Sequence, residues 1–291
     1  MPSRRDYPTD ATRASLQVMA ELWTILRDYN EYMVLIGGWV PFFLLQRYGE
    51  GSVEHVGSLD IDLALNAQAI PVDAYETILD RLQDRGYHHR VDRQGRPIPF
   101  SFERAVVVEG GSRVVVQVDL LAPQYGGTGP RHRHQVVQDL LARKVRGADL
   151  VFDHFEVEEQ TARLPNGAQI NVQIKIADAV SCFVMKGIAL ASRASEKDAY
   201  DLYLLCKNYK SGPASLAAEL QAMRWHSLIQ EALKSVTEYF DGVDAIGPIA
   251  VADFLEVNDP EEREVVCRDA YEVLRYMLEK AREDLTWRQL Y

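Results

Sequence analysis

Two carboxylates, Asp60 and Asp62, stand one residue apart inside the otherwise apolar run VGSLDIDLALN at residues 56–66. On an extended chain, side chains two apart point to the same face, so the pair projects together while Ile61 turns to the opposite layer. Two like charges so placed repel and raise each other's proton affinity unless a cation lies between them. A hard divalent ion with oxygen ligands, Mg²⁺ above all, suits the pair and leaves positions for phosphate oxygens. The plainer alternative is that both acids sit solvated at an exposed strand end.

Two neighbours in the sequence add to this pair. Upstream, LIGGWV at residues 35–40 reads as a strand entering a turn at Gly37 and Gly38 before a helix. Backbone N–H groups at such a helix start, with no Cβ in the way, permit close approach to a phosphate. Downstream, VVVQVDLLAP at residues 114–123 reads as a strand whose last inward-facing position is Asp119, a third carboxylate. Alone it would read as an edge acid; with the other two features it completes a constellation.

The elements that must carry these groups follow from periodicity. An amphipathic helix is expected at residues 13–29, a short buried strand at 32–38, and a helix at 39–49 with Pro41 in its first turn. After the Asp60 strand, a helix is expected at 74–86, then two strands at 100–110 and 113–123 joined through Gly110, Gly111 and Ser112. The stretch from Arg131 to Arg146 reads as a loop and a basic helix. One further strand at 168–176 leads into a pattern that is helical from about Ala177 onward. The fold class expected is α+β: a mixed, twisted sheet flanked by helices in residues 1–174, followed by a helical region in 175–291.

Composition narrows the class further. With 47% hydrophobic and 26% charged residues in 291, the chain reads as an ordinary globular protein. The opening MPSRRDYPTD has no apolar run behind it and reads as no signal peptide. The run from Met33 to Leu45 is too short to span a bilayer and is broken by glycine and proline. A cytoplasmic protein without membrane contact is expected, with Cys182, Cys206 and Cys267 as core thiols. The net charge of −11 gathers at the C-terminal end, where residues 211–291 hold 8 Lys and Arg against 16 Asp and Glu. Residues 131–146 run the other way, with 5 Lys and Arg against 1 Asp, and follow a glycine-rich loop. That run is either a solvated face or a contact for phosphates. Zinc binding by His132 and His134 lacks partners at suitable spacing.

Gly37-Gly38, Asp60-Ile61-Asp62 and Asp119 together resemble the polymerase-β-type nucleotidyltransferase superfamily. The block MKGIALASRASEKDAYDLYLL at residues 185–205 is similar to one in its AbiEii/AbiGii toxin branch, which includes the MenT-like type IV toxins. The resemblance covers roughly residues 30–205. It departs from many relatives in carrying Val56, next to His55, four residues before Asp60 where they place Arg; the small hydroxyl two before the acid is present as Ser58.

The resemblance implies transfer of a nucleoside monophosphate from an NTP to an acceptor hydroxyl, with two Mg²⁺ ions held by Asp60, Asp62 and Asp119. Gly37, Gly38 and Ser58 would cradle the triphosphate, Lys186 and Arg193 would contact phosphate, and Asp201 would be essential. The branch implies tRNA as acceptor and a cognate antitoxin protein as partner. A small-molecule acceptor of aminoglycoside type, a protein hydroxyl, or a non-catalytic nucleotide- or partner-binding descendant are the alternatives. From the residues alone, Lys186, Arg193, Lys197 and Asp201 would form one stripe on a continuous helix, whereas Ser195-x-x-Asp198 signals a fresh helix start. Lys186 lies among apolar residues and needs a partner, either Asp201 or a phosphate.

Overall fold

The computed structural model describes residues 3–49, 55–71, 77–108, 110–124 and 133–283. The chain is mixed α and β and divides into two compact units. One comprises Tyr7–Val40 and Val56–Ser181; the other comprises Met1–Asp6, Pro41–His55 and Cys182–Tyr291. The division expected at 174/175 therefore lies at 181/182, and the segment after Val40 belongs with the helices. The expected boundary falls inside the strand Gln169–Ala177, whose pairing with Phe155–Arg163 keeps it in the sheet unit.

The first unit is built on a mixed open sheet of nine strands among the described residues. After helix α1 (Thr9–Ile25) come β1 (Met33–Ile36), α2 (Trp39–Tyr48), which passes into the second unit at Pro41, then β2 (Asp60–Leu65), α3 (Ile78–Asp84), β3 (His88–Val91), β4 (Pro97–Val107) and β5 (Arg113–Pro123). The strands β6 (His134–Val137), β7 (Leu140–Val145), β8 (Phe155–Arg163) and β9 (Gln169–Ala177) complete it. The main path runs β3-β4-β5-β2-β1-β9-β8, with β7 joining β5 and β6 joining β7. The four residues of β1 are all buried, which is why that run reads as apolar throughout rather than alternating.

Helix α1 packs on β4, β5, β8 and β9, with Val18, Met19, Leu22 and Trp23 buried. Each such side chain contributes roughly 1.5–3 kcal/mol on burial. Glu21 sits in this apolar stripe because Arg104 grips both its oxygens at 2.9 Å and the Tyr87 hydroxyl donates to it at 2.8 Å. A buried carboxylate needs such partners.

One expectation fails here, and two strands stand where none was expected. Residues 134–145 form the β6–β7 hairpin and no helix. Its apolar residues alternate in burial, with Leu140 and Ala142 inside and Leu141 and Arg143 outside, although Val136, Val137, Leu140 and Leu141 also suit helical spacing. Arg131 and His132 lie outside the described residues. Strand β8 was not expected, because its nine residues alternate between half-buried and exposed with no buried face to betray them. It pairs along its whole length with β9 across the Asn166-Gly167 turn. The short β3 was missed for want of apolar residues in HHRV.

The second unit holds the remaining helices: α4 (Ala179–Arg193), which enters it at Cys182, then α5 (Glu196–Asn208), α6 (Pro213–Ala222), α7 (Ser227–Tyr239), α8 (Ile246–Phe254) and α9 (Pro260–Arg282). α9 runs against α5, α6, α7 and α8. Asp259 caps its start by accepting from the Glu261 and Glu262 amides, with Pro260 at the first helical position. α4 approaches α7 closely at Gly187, whose carbonyl accepts from Ser235 at 2.6 Å. A Cβ there would lie 3.0–3.1 Å from Val236 and Ala232. Cys182, Cys206 and Cys267 are buried and form no disulfide. Among the described residues no helix is long and apolar enough to cross a membrane.

Candidate active site

Strands β2 and β5 run parallel, and their register sets Asp60 opposite Gln117 and Asp62 opposite Asp119. Residues directly opposite in a ladder share a face, so the three carboxylates occupy one face of adjacent strands. The apolar positions between them, Ile61 and Val118, are fully buried on the other side. Antiparallel β4 adds Ser101 opposite Asp119.

Each acid is held by local donors. The Ser58 hydroxyl donates to Asp60 Oδ1 at 2.6 Å. Ser101 donates to Asp119 Oδ1 at 2.5 Å, and the Gln117 amide donates to both Asp119 oxygens at 3.0 Å. Burial raises the proton affinity of the Asp119 carboxyl above its ordinary value, and the charge of Asp60 adds to this, while Ser101, Gln117 and Arg90 oppose it. Asp62 lies against the glycine turn: a Cβ on Gly37 would stand 2.1 Å from its Oδ2, and Gly37 has φ +77°. A Cβ on Gly38 would stand 2.7 Å from Ser58 Oγ. The space freed by the two glycines thus admits Asp62 and Ser58, at the N-terminal end of α2.

This donor set of three carboxylates and a hydroxyl suits a hard divalent cation. Among the described residues no group of three or more His, Cys, Asp or Glu side chains is already closed around a common point.

The second block of expected residues is assembled in the helical unit. Lys186 on α4 donates to Asp201 Oδ2 at 2.6 Å and to Asp198 Oδ1 at 2.8 Å, both on α5. Arg193 grips both Asp198 oxygens, at 2.7 and 3.0 Å. Lys197 donates to Asp201 Oδ1 at 2.5 Å, and the His55 ring meets the same oxygen at 2.9 Å. Burial opposes charge on every member but the exposed Arg193. Burial would raise the Asp201 carboxyl, but Lys186 and Lys197 hold it below the ordinary carboxylate range. It would lower the Lys186 ammonium, but Asp198 and Asp201 hold that above its ordinary value. Burial and the Lys197 charge push His55 down to about 4, so its ring is neutral near pH 7 and donates from Nε2.

The helices α4 and α5 are separate, parted at Ala194, which has φ 45°, so the single stripe from Lys186 to Asp201 does not exist as one helix face. The sequence signal for a new start at Ser195 located the break. The capping box itself is not made, because Ser195 caps without a side-chain bond and the Asp198 carboxylate is taken by Lys186 and Arg193.

Ser101, Gln117 and His55 were missed as supports. Gln117 had a usable signal, two residues before Asp119 on the same strand face; Ser101 and His55 meet their acids only through pairing and packing. No protein-family model matches this chain, and no curated protein is similar to it.

Proposed function

We propose that the chain is a Mg²⁺-dependent nucleotidyltransferase that moves a nucleoside monophosphate from an NTP to an acceptor hydroxyl. The observation that carries this reading is the β2–β5 register, which puts Asp60, Asp62 and Asp119 on one face with the Gly37 turn closed against Asp62. A merely solvated strand end has no need of a third acid at a paired position, half-buried and held by a hydroxyl and an amide. Asp60, Asp62 and Asp119 would hold Mg²⁺, which when bound supplies neutralising charge for the phosphates and eases ionisation of the acceptor hydroxyl.

In the transfer, the acceptor oxygen forms a bond to the α-phosphorus, the bond to the departing pyrophosphate oxygen breaks, and the hydroxyl proton passes to Asp119. Ser101 and Gln117 keep its carboxylate aimed while it does so. The α2 N-terminus beyond Gly37-Gly38 offers backbone N–H groups to the triphosphate.

In the same reading the acceptor is tRNA, and the protein is a cytoplasmic toxin held in check by an antitoxin. The resemblance of Gly37-Gly38, Asp60-Ile61-Asp62, Asp119 and the block from Lys186 to Asp201 supports this part. Lys186 and Arg193 enter as struts: their charges are met by Asp198 and Asp201, which favours locking of α4 on α5 over phosphate contact.

The test is to incubate the pure protein with each labelled NTP, Mg²⁺ and total cellular RNA and to ask where the label goes. Label is expected in RNA with the parent and in nothing with Asp60→Ala or Asp62→Ala, both variants melting as the parent does. Full transfer by either variant, or no transfer by the parent, overturns the reading.

A further inference from the structure

Residues 85–146 hold 11 Lys and Arg against 5 Asp and Glu, a net of +6 in a chain whose total is −11. The fold gathers part of this charge beside Asp119. Strand β4 pairs with β5 only as far as Ser101 opposite Asp119; beyond that point β7 takes its place, with Arg143 opposite Leu121. Leu121 is two residues past Asp119 on the same face, which sets the Arg143 and Asp119 backbones about 8 Å apart. His134 pairs directly with Arg143 across the β6–β7 hairpin. Where β4 parts from β5, the Phe100 ring lies 5.7 Å from the Arg143 guanidinium carbon and 5.7 Å from the His134 ring, tilted 31° to it.

Arg133, His134 and Arg143 are exposed and Phe100 is half-buried. From the other side Arg90 reaches to 3.4 Å from Ser101 Oγ. The hairpin is held at its tip: the Gln138 side chain accepts from the Ile78 amide and donates to the Tyr29 hydroxyl and the Pro71 carbonyl, and Thr77 donates to Asp139. Its open end is therefore presented by a tied support.

We propose that Phe100, His134 and Arg143, flanked by Arg90, form a stacking platform that seats an unpaired base of a nucleic-acid acceptor beside Asp119. Two rings and a guanidinium plane within reach of one another offer flat π-faces as well as charge, which suits a nucleobase next to a phosphate. An acidic peptide would gain from the cations but not from the rings. A base-paired acceptor has its base faces covered by the stack, so the platform favours a single-stranded end. The word acceptor rests on the proposed nucleotidyl transfer; the binding surface does not.

The experiment measures anisotropy of a labelled single-stranded RNA of about twelve nucleotides, and of its duplex, with the full chain and without NTP or Mg²⁺. The single strand is expected to bind at least about tenfold tighter than the duplex, and Phe100→Ala and Arg143→Gln are each expected to weaken it about tenfold. Phe100→Tyr, which keeps a ring and the fold, should bind as the parent does. Equal binding of strand and duplex, no effect of Arg143→Gln, or tighter binding of a poly-glutamate peptide overturns the platform. Asp60→Ala separates the two readings: it should bind the strand normally while transferring nothing. A parent that binds through Phe100 and Arg143 but transfers no nucleotide refutes the activity and leaves the platform standing.

Discussion

Lys186 and His55 show what single residues do when charge is taken out of water. Lys186 is 7% exposed and serves two carboxylates at once. Its replacement leaves Asp201 with Lys197 and His55, and Asp198 with Arg193, so the loss should fall at the low end for a broken buried pair. Lys186→Met is expected to lower the unfolding free energy by about 3 kcal/mol in a denaturant titration. A change below about 0.5 kcal/mol would show that the ammonium is not structural. His55 reports on the same cluster through pH. Its proton affinity falls from the ordinary 6.5 to about 4 on folding, so between these values the unfolded chain binds a proton that the folded chain refuses. The stability that depends on neutral His55 is complete above about pH 6.5 and is lost as pH falls toward 4. The loss is about 3 kcal/mol over that window. His55→Gln, which keeps a donor for Asp201 and cannot titrate, should flatten that part of the stability profile; an unchanged slope would place the proton uptake elsewhere.

At the scale of elements, the turn between β1 and α2 is the narrowest joint. Gly37 combines positive φ with a neighbour, Asp62 Oδ2, that leaves no room for a methyl group. Gly37→Ala should cost about 1–2 kcal/mol of stability from the left-handed backbone, and should displace the Asp62 carboxylate. Nucleotide transfer is expected to vanish while the protein stays folded at 25 °C. Transfer at parental rate in this variant would mean that the position of Asp62 is not what the turn secures. Gly38→Ala acts one step away, through Ser58 Oγ and so through Asp60, and should slow transfer without the backbone cost.

For the whole molecule, the proposed binding of RNA asks where an acidic protein gathers its positive charge. The β register answers in terms of faces: along β7 Arg143 is exposed whereas Ala142 is buried. Of the basic residues in 131–146, Arg143 is therefore the one opposite Leu121 on the acid face, and Lys144 is offset by one to the other side. Binding of RNA is expected to weaken steeply with salt, each phosphate contact adding about −0.7 to the slope of log affinity against log salt. Replacing Arg90 and Arg143 by Gln together should flatten that slope by about 1.4, whereas Lys144→Gln should change it little. An unaltered slope in the double variant, read by filter binding across a salt series, would place the RNA on another surface.

Local pattern alone carried the acids, the glycine turn and the helix break. Alternation put Asp60 and Asp62 on one face, and the capping signal at Ser195 placed the start of α5, because both depend on residues within one turn or two strand positions of each other. It also carried the mixed α and β class and the helical run after Ala177. Tertiary structure alone decided the opposition of Asp62 to Asp119, since strand register joins residues 57 positions apart. The same holds for the hydroxyl of Ser101 on Asp119 and the ring of His55 on Asp201, contacts with no local spacing to announce them. The β6–β7 hairpin and strand β8 escaped for a different reason. Strand β8 alternates only between half-buried and exposed residues, and Val136, Val137, Leu140 and Leu141 suit helical spacing as well as a hairpin.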